Sequence, residues 1–294
     1  MNFMSKQRGL AMATALAAAG ALISTRAQIS PTSPATQWAP ILHGSSAPDP
    51  TADQQTGGSE ADIVGNLANP SLYMKYDGAG GGTTNGWLGF RIRVGADMNP
   101  TGFKSVAMIG FDADLDGKLD LFVGVNNQGS SASLAIWNPG NGANTSPNTT
   151  SIVSPAAQTY LETSANYAFS PVTLANDPNA TALDLDGGGR PDQFLTFVLP
   201  FSDIVSSLAT RGILGVRKDT PLQLVAATAS QQNSLNQDLN GVNGGVNSPL
   251  TWGELGGLTL PYTFSSLQPV PEPNSFAVCL TGFLVLLARR RLKT

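Results

Sequence analysis

One cysteine, one histidine and a charged fraction of only 12% narrow the chemistry open to this 294-residue chain. The cysteine, Cys279, lies near the C-terminus, so the rest of the chain has no disulfide partner. With a single histidine as well, no Cys/His zinc set can be assembled. The histidine, His43, falls in a Ser/Pro-rich stretch and reads as a surface residue of a polar loop. That leaves no convincing Ser-His-Asp or Cys-His catalytic arrangement. Glutamate is scarce too. Before the last two dozen residues there are only Glu60, Glu162 and Glu254, in unrelated contexts. Paired carboxylates of the glycosidase kind are therefore not evident. The Gly78–Gly82 run lacks the Lys-Ser/Thr partner of a phosphate-cradling loop. Taken together, these absences predict a protein that is not an enzyme.

Charge is unevenly placed. Seven of the 16 Lys/Arg residues lie in the two end segments, against one of the 20 acids, leaving 9 bases and 19 acids between residues 28 and 270, a net of −10. An acidic body excludes the cationic face that nucleic-acid binding needs. It suits solubility and divalent cations instead.

Both ends carry targeting features. Lys6 and Arg8 precede an apolar stretch from Leu10 to Ile23, followed by Thr25, Arg26 and Ala27. This is the pattern of a secretory signal peptide over residues 1–27, cleaved after Ala27. At the other end, Pro271-Glu272-Pro273 precedes an apolar run, Phe276–Ala288, and the basic cluster Arg289, Arg290 and Arg291. From Asn274 to Ala288 is 15 residues, short of the ~20 that a helix needs to cross the hydrocarbon core. The arginines and Lys293 would stay cytoplasmic under the positive-inside rule. The three ordered elements of residues 269–294 resemble the PEP-CTERM sorting signal of exported bacterial proteins. That resemblance implies recognition by a membrane-embedded exosortase, a transient inner-membrane anchor, and delivery to the cell surface, outer membrane or extracellular matrix.

Between the signals, residues 28–58 are rich in Ser, Thr, Pro, Ala and Gln and read as a polar linker or lead-in. Residues 59–268 have short apolar runs broken by Gly, Asn, Asp and Pro, the texture of an all-β domain. Leu88, Phe90, Ile92 and Val94 share one face of a strand, and Arg91 and Arg93 the other. Further strands are expected over Ser105–Phe111, Leu119–Val125, Ser133–Trp137, Gln193–Leu199, Leu222–Thr228 and Leu258–Phe264. Asn138–Thr150 reads as a disordered Asn/Thr/Pro loop. One short helix is expected over Asp203–Arg211, capped by Ser202 and with Asp203 in its first turn. The fold class predicted is a single antiparallel β-sandwich, jelly-roll-like, with one short helix and a hydrophobic C-terminal helix.

The chemistry concentrates in two aspartate clusters. Asp112, Asp114, Asp116 and Asp120 fall at positions 1, 3, 5 and 9 of a loop with Gly117 at position 6. This is the front of an EF-hand-type calcium loop, in which the Lys118 carbonyl adds a ligand. Val123 stands where that loop has glutamate and strands flank it, so a helix-loop-helix EF-hand is excluded. Asp184, Asp186 and Asp192, around Gly187–Gly189, repeat the pattern imperfectly. They read either as an ion-free turn or as a second calcium loop, and Arg190 is placed to neutralise a carboxylate. All-oxygen donors point to Ca2+ rather than a transition metal.

Ala61–Gly65, Tyr73, Tyr76–Gly78, Phe90–Val94, the Asp-rich hairpin and Phe197–Asp203 resemble sandwich domains of the family 9 carbohydrate-binding and DOMON-like type. The resemblance spans about residues 60–265 and implies a sandwich with structural calcium that binds extracellular polysaccharide. Sugar binding needs exposed aromatic platforms, and Trp137, followed by Asn138-Pro139-Gly140, is the best placed of Trp87, Trp137, Trp252, Tyr73, Tyr76 and Tyr160. The expected protein is thus exported, calcium-stabilised and non-catalytic. Its expected partners are the secretion machinery and polysaccharide. The alternatives are a purely structural matrix protein and a secreted glycosidase or lyase.

Overall fold

The computed structural model describes residues 29–266 apart from 44–48, 79–81, 98–101, 129–131, 232–233 and 245. The expected signal peptide (1–27) and the sorting signal with Pro271, Glu272, Pro273 and Arg289–Arg291 lie outside the described residues. Among the described residues, no helix is long and apolar enough to cross a membrane.

The strands are β1 (Ala39–Pro40), β2 (Leu72–Asp77), β3 (Trp87–Val94), β4 (Val106–Asp112), β5 (Leu121–Asn126), β6 (Ser133–Trp137), β7 (Gln158–Leu161), β8 (Tyr167–Pro171), β9 (Gln193–Pro200), β10 (Gln223–Ala229) and β11 (Asp238–Leu239). Among the described residues one α-helix, α1 (Phe201–Thr210), follows β9 directly. They form two antiparallel sheets, a first in the order β1-β2-β3-β9-β8 and a second in the order β11-β10-β4-β5-β6-β7. The fold is an all-β sandwich, jelly-roll-like in that late strands return beside early ones, β9 beside β3 and β10 beside β4.

Alternation explains the inner core. Leu88, Phe90, Ile92 and Val94 from the first sheet meet Ile109, Phe111, Leu121 and Val123 from the second in one buried cluster. Phe90 crosses the interface to Phe111 edge-on, ring centroids 5.9 Å apart. Each such fully buried side chain contributes roughly 1.5–3 kcal/mol.

The outer faces are covered as well. Trp137, Phe122, Val225, Leu239 and Trp252 form an apolar cluster on the back of the second sheet. Ile29, Trp38, Tyr73, Phe194 and Val198 form another on the back of the first. Residues 28–58, expected as a loose lead-in, therefore include part of the wall. Ile29, Ala35, Trp38 and Ile41 are buried and β1 pairs with β2. Arg91 shows why an apparently polar face needs this cover. Its Nη2 donates to the Pro31 carbonyl (2.9 Å) and the Ser33 carbonyl (2.7 Å), and its guanidinium lies between the Trp38 and Phe194 rings. The proline-rich segment supplies backbone acceptors that water would otherwise provide.

Four local expectations are corrected. Leu258–Phe264 is not a strand; it makes one bridge, Leu222 to Tyr262, and sends Phe264 into the core. Asn138–Thr150 is built of turns and a 3-10 turn, Pro147–Thr149, in which Thr150 is buried and donates to the Ala143 (3.0 Å) and Ser146 (2.7 Å) carbonyls. The helix starts two residues earlier than expected, with Pro200 in the cap position and no side-chain cap. Burial of Phe201 pulls the start forward, and the Ser202 hydroxyl donates to Asp203 instead (3.2 Å). The edge strands β7 and β8 escaped the sequence reading because their largely unburied residues give no apolar alternation.

Candidate metal sites

The β4–β5 hairpin carries the first aspartate cluster. Asp112, the last residue of β4, is buried, whereas Asp114, Leu115 and Asp116 project into solvent. The chain reverses through two left-handed residues, Leu115 (φ 63°) and Gly117 (φ 81°). Gly117 has open space where a Cβ would sit, so only its backbone conformation calls for glycine. Two backbone amides converge on Asp112: Asp116 N–H donates to Oδ1 (3.2 Å) and Gly117 N–H to Oδ2 (2.9 Å). The Asp116 carboxylate accepts from its neighbour twice, from Lys118 N–H (2.9 Å) and from Lys118 Nζ (2.8 Å).

Asp112, Asp114 and Asp116 each offer an oxygen within 4.8 Å of the others. Two oxygens on opposite sides of a calcium ion stand about 4.6–5.2 Å apart, so the three oxygens can share one cation. Asp120 plays another part: its Oδ2 accepts from Ala113 N–H (2.8 Å), tying the base of the loop. Lys118, expected as a carbonyl ligand, sets its exposed ammonium on Asp116, a contact that solvent screens and that adds little to stability. Burial pushes the Asp112 carboxyl up to about 6, while the Lys118 contact holds Asp116 below its usual value. Asn144 was missed. It accepts from Leu119 N–H (2.7 Å) and donates to the Leu119 carbonyl (3.2 Å), clamping the hairpin to the next connection.

The second cluster again brings three carboxylates together, those of Asp184, Asp186 and Asp192. Here a cation is already supplied by the protein. Arg93 Nη2 lies 2.6 Å from Asp192 Oδ2, both side chains fully buried, and Arg93 Nε donates to the same oxygen (2.7 Å). Arg190, expected in that role, is exposed and reaches the Asp97 carbonyl instead (3.3 Å). Arg93 takes its place because β3 and β9 are paired, a contact across 99 residues of sequence. Asp186 is held by Ala96 N–H (3.1 Å) and Gly188 N–H (2.9 Å), and Asp184 by Gly189 N–H (2.9 Å).

A third group, Asp53, Asp62 and Asp238, has oxygens equally close. Nothing in local spacing announces it, since Asp238 is about 180 residues away from the other two. Its only trace in the sequence is a scatter of acids, Asp49, Asp53, Glu60 and Asp62, in a segment without a base.

Trp137 is corrected as a sugar platform. It is 4% exposed and packs on the back of the second sheet, so it has no free face. Trp252 is buried too, its Nε1 donating to the Ala143 carbonyl (3.0 Å). Tyr76 remains partly exposed and, with Lys75, Asp77, Gln37, Ser30 and Ser33, lines a groove of about 360 Å³. The three glutamates stay apart in role: Glu60 is buried, Glu162 accepts from Asn127 (3.4 Å), and Glu254 accepts from Thr251 N–H (2.8 Å). Comparisons with protein-family models, with curated proteins and with solved structures return no match to this chain.

Proposed function

We propose that this is an exported, exosortase-sorted protein of the cell surface or extracellular matrix, whose non-catalytic sandwich is stabilised by calcium and associates with extracellular polysaccharide. The observation that carries the calcium reading is the convergence of the Asp112, Asp114 and Asp116 oxygens around a hairpin whose first carboxylate is buried. Only oxygen donors are offered, which suits a hard cation of flexible coordination. The tail motif supports export, and the groove beside Tyr76 and Lys75 supports a polar, sugar-like ligand. A purely structural matrix role is the second reading, favoured by the burial of Trp137 and Trp252, which removes two stacking faces.

Thermal unfolding of the purified chain in excess calcium and in a chelator tests the metal. An ion at ~100 times its dissociation constant adds about 2.7 kcal/mol. For a domain of this size that shift is on the order of 5–10 °C. The difference should shrink in Asp114→Ala, and an unchanged difference sinks the hairpin site. Electrophoresis through gels containing neutral or acidic polysaccharides separates the two readings. Retardation that weakens in Lys75→Ala supports polysaccharide association, whereas free migration in every gel leaves the structural role.

A further inference from the structure

The third aspartate group stands on different ground from the hairpin, because its members arrive from opposite ends of the folded chain and two of the three are deeply buried. Asp62 and Asp238 are each 1% exposed and Asp49 is 2% exposed. The segment holding Asp62 joins the first sheet, Ile63 bridging Val94 and Gly95 N–H donating to the Asp62 carbonyl (2.8 Å). Asp238 opens β11, the edge strand of the second sheet. The two meet where Ile63 N–H donates to Asp238 Oδ2 (2.5 Å) and the Thr228 hydroxyl donates to the Ala61 carbonyl.

Backbone amides already aim the carboxylates. Ala52 N–H (2.8 Å) and Gln54 N–H (3.4 Å) donate to Asp62, Gly244 N–H to Asp53 Oδ2 (2.7 Å), and Gly241 N–H to Asp49 Oδ1. What remains unsatisfied is specific. Asp49 Oδ2, Asp53 Oδ1 and the Gln54 side-chain oxygen are buried with no donor among the described residues. Asp49 is the independent observation: it lies outside the three-residue group, is almost wholly buried, and is held beside it from both sides, Gly241 N–H donating to its Oδ1 and Gly65 N–H to its carbonyl (3.3 Å), three residues beyond Asp238 and Asp62 respectively. The charges acting on Asp49, Asp62 and Asp238 are those of the other aspartates. Like charges so buried are costly unless an opposite charge joins them. In the Asp192 cluster an arginine does so; here the unsatisfied atoms of Asp49, Asp53 and Gln54 are all oxygen acceptors.

We infer that Asp49, Asp53, Asp62 and Asp238, with the Gln54 amide oxygen, form a divalent-cation site of the calcium type that clasps the 49–62 segment, which ends beside β3 of the first sheet, to β11 at the edge of the second. The oxygens of Asp53, Asp62 and Asp238 lie within 4.8 Å of one another, the span that opposite ligands of one calcium ion allow. The role is structural: the ion fastens the segment leading from the cover of the first sheet into the sandwich.

The test is amide hydrogen exchange on the full chain carrying Asp114→Ala, with calcium alone as the probe, so the hairpin site does not contribute. Calcium at ~100 times its dissociation constant should slow exchange about 100-fold at the amides of Ala52, Gln54, Ile63, Gly241 and Gly244. Native mass spectrometry of the wild-type chain, stripped with chelator and reloaded, should show one fewer bound ion in Asp53→Asn. Asp53 is only half-buried, so that variant is expected to fold. Unchanged exchange at those amides, or an unchanged ion count in Asp53→Asn, overturns the site. Protection confined to the amides of residues 113–120 in the wild-type chain would uphold the hairpin reading while removing this one.

Discussion

His43 is 3% exposed, although a lone histidine in a polar stretch is expected at the surface. Gly241 lies against it so closely that a Cβ there would sit 2.7 Å from the ring. Neither ring nitrogen makes a well-formed hydrogen bond, and burial lowers its pKa to about 4 against a weaker pull from the Gly256 backbone. The sign of the linkage follows. Between pH 6.5 and 4 the unfolded chain holds a proton on this ring that the folded chain refuses, so the contribution of neutral His43 is complete above pH 6.5 and is lost as pH falls towards 4. The full loss is on the order of 3 kcal/mol. His43→Leu lacks this dependence. In denaturant unfolding, the wild type should therefore lose stability relative to His43→Leu as the buffer goes from pH 7 to pH 4. A constant difference would mean that the ring is protonated, and so hydrated, in the fold. Comparing the two chains cancels the carboxylates of Asp62 and Asp112, whose burial raises them to about 6 and which act in the opposite direction over the same range.

The β4–β5 hairpin is the element in which spacing and geometry agree best. Its nine residues bring Asp112, Asp114 and Asp116 together because the turn is local, and alternate carboxylates fall on the inside of one reversal. What spacing left out is the anchor from outside. Asn144 treats the Leu119 peptide as a strand partner would, satisfying both its N–H and its C=O. Asn144→Ala leaves both groups without that partner and should lower stability by about 1–3 kcal/mol, read from the midpoint of urea unfolding at constant m-value. Asn144→Asp keeps an acceptor for the Leu119 amide and should cost less. Equal midpoints for Asn144→Ala and the wild type would show that water replaces the clamp.

Both sheets of the sandwich are covered on both sides, and that sets the behaviour of the whole molecule. β4 is buried at every position and β9 at all but its last. The covers are irregular segments: residues 29–43 on the first sheet, and the connections around Ala143, Ile152, Val242 and Trp252 on the second. A chain begun at Ser59 loses Ile29, Trp38 and Ile41 and exposes the Arg91 guanidinium. At roughly 1.5–3 kcal/mol per large apolar side chain, the loss is on the order of 5 kcal/mol, comparable to the whole stability of many domains. Such a chain should bind a hydrophobic dye and lack a cooperative melt. A melt like that of the longer chain would return residues 29–58 to the role of linker.

How much of this was written locally can be seen from particular residues. The alternation from Leu88 to Val94, the Asp/Gly turn after β4 and the β6 run Ser133–Trp137 determined strands, a hairpin and an all-β class by themselves, because each is specified by neighbours within a few positions. The same period put Arg91 and Arg93 on the face opposite Phe90, which is where they are. It did not say that this face is buried, since that depends on a proline-rich segment about 60 residues earlier and an aspartate 99 residues later. Trp137 was misplaced for the same reason: strand periodicity assigns a side but not what lies against it. The meeting of Asp49, Asp53 and Asp62 with Asp238 is the extreme case. Only the pairing of β11 with β10, and of the 62–64 segment with β3, carries those carboxylates to one point, and a pairing between distant segments leaves no spacing for a sequence to show.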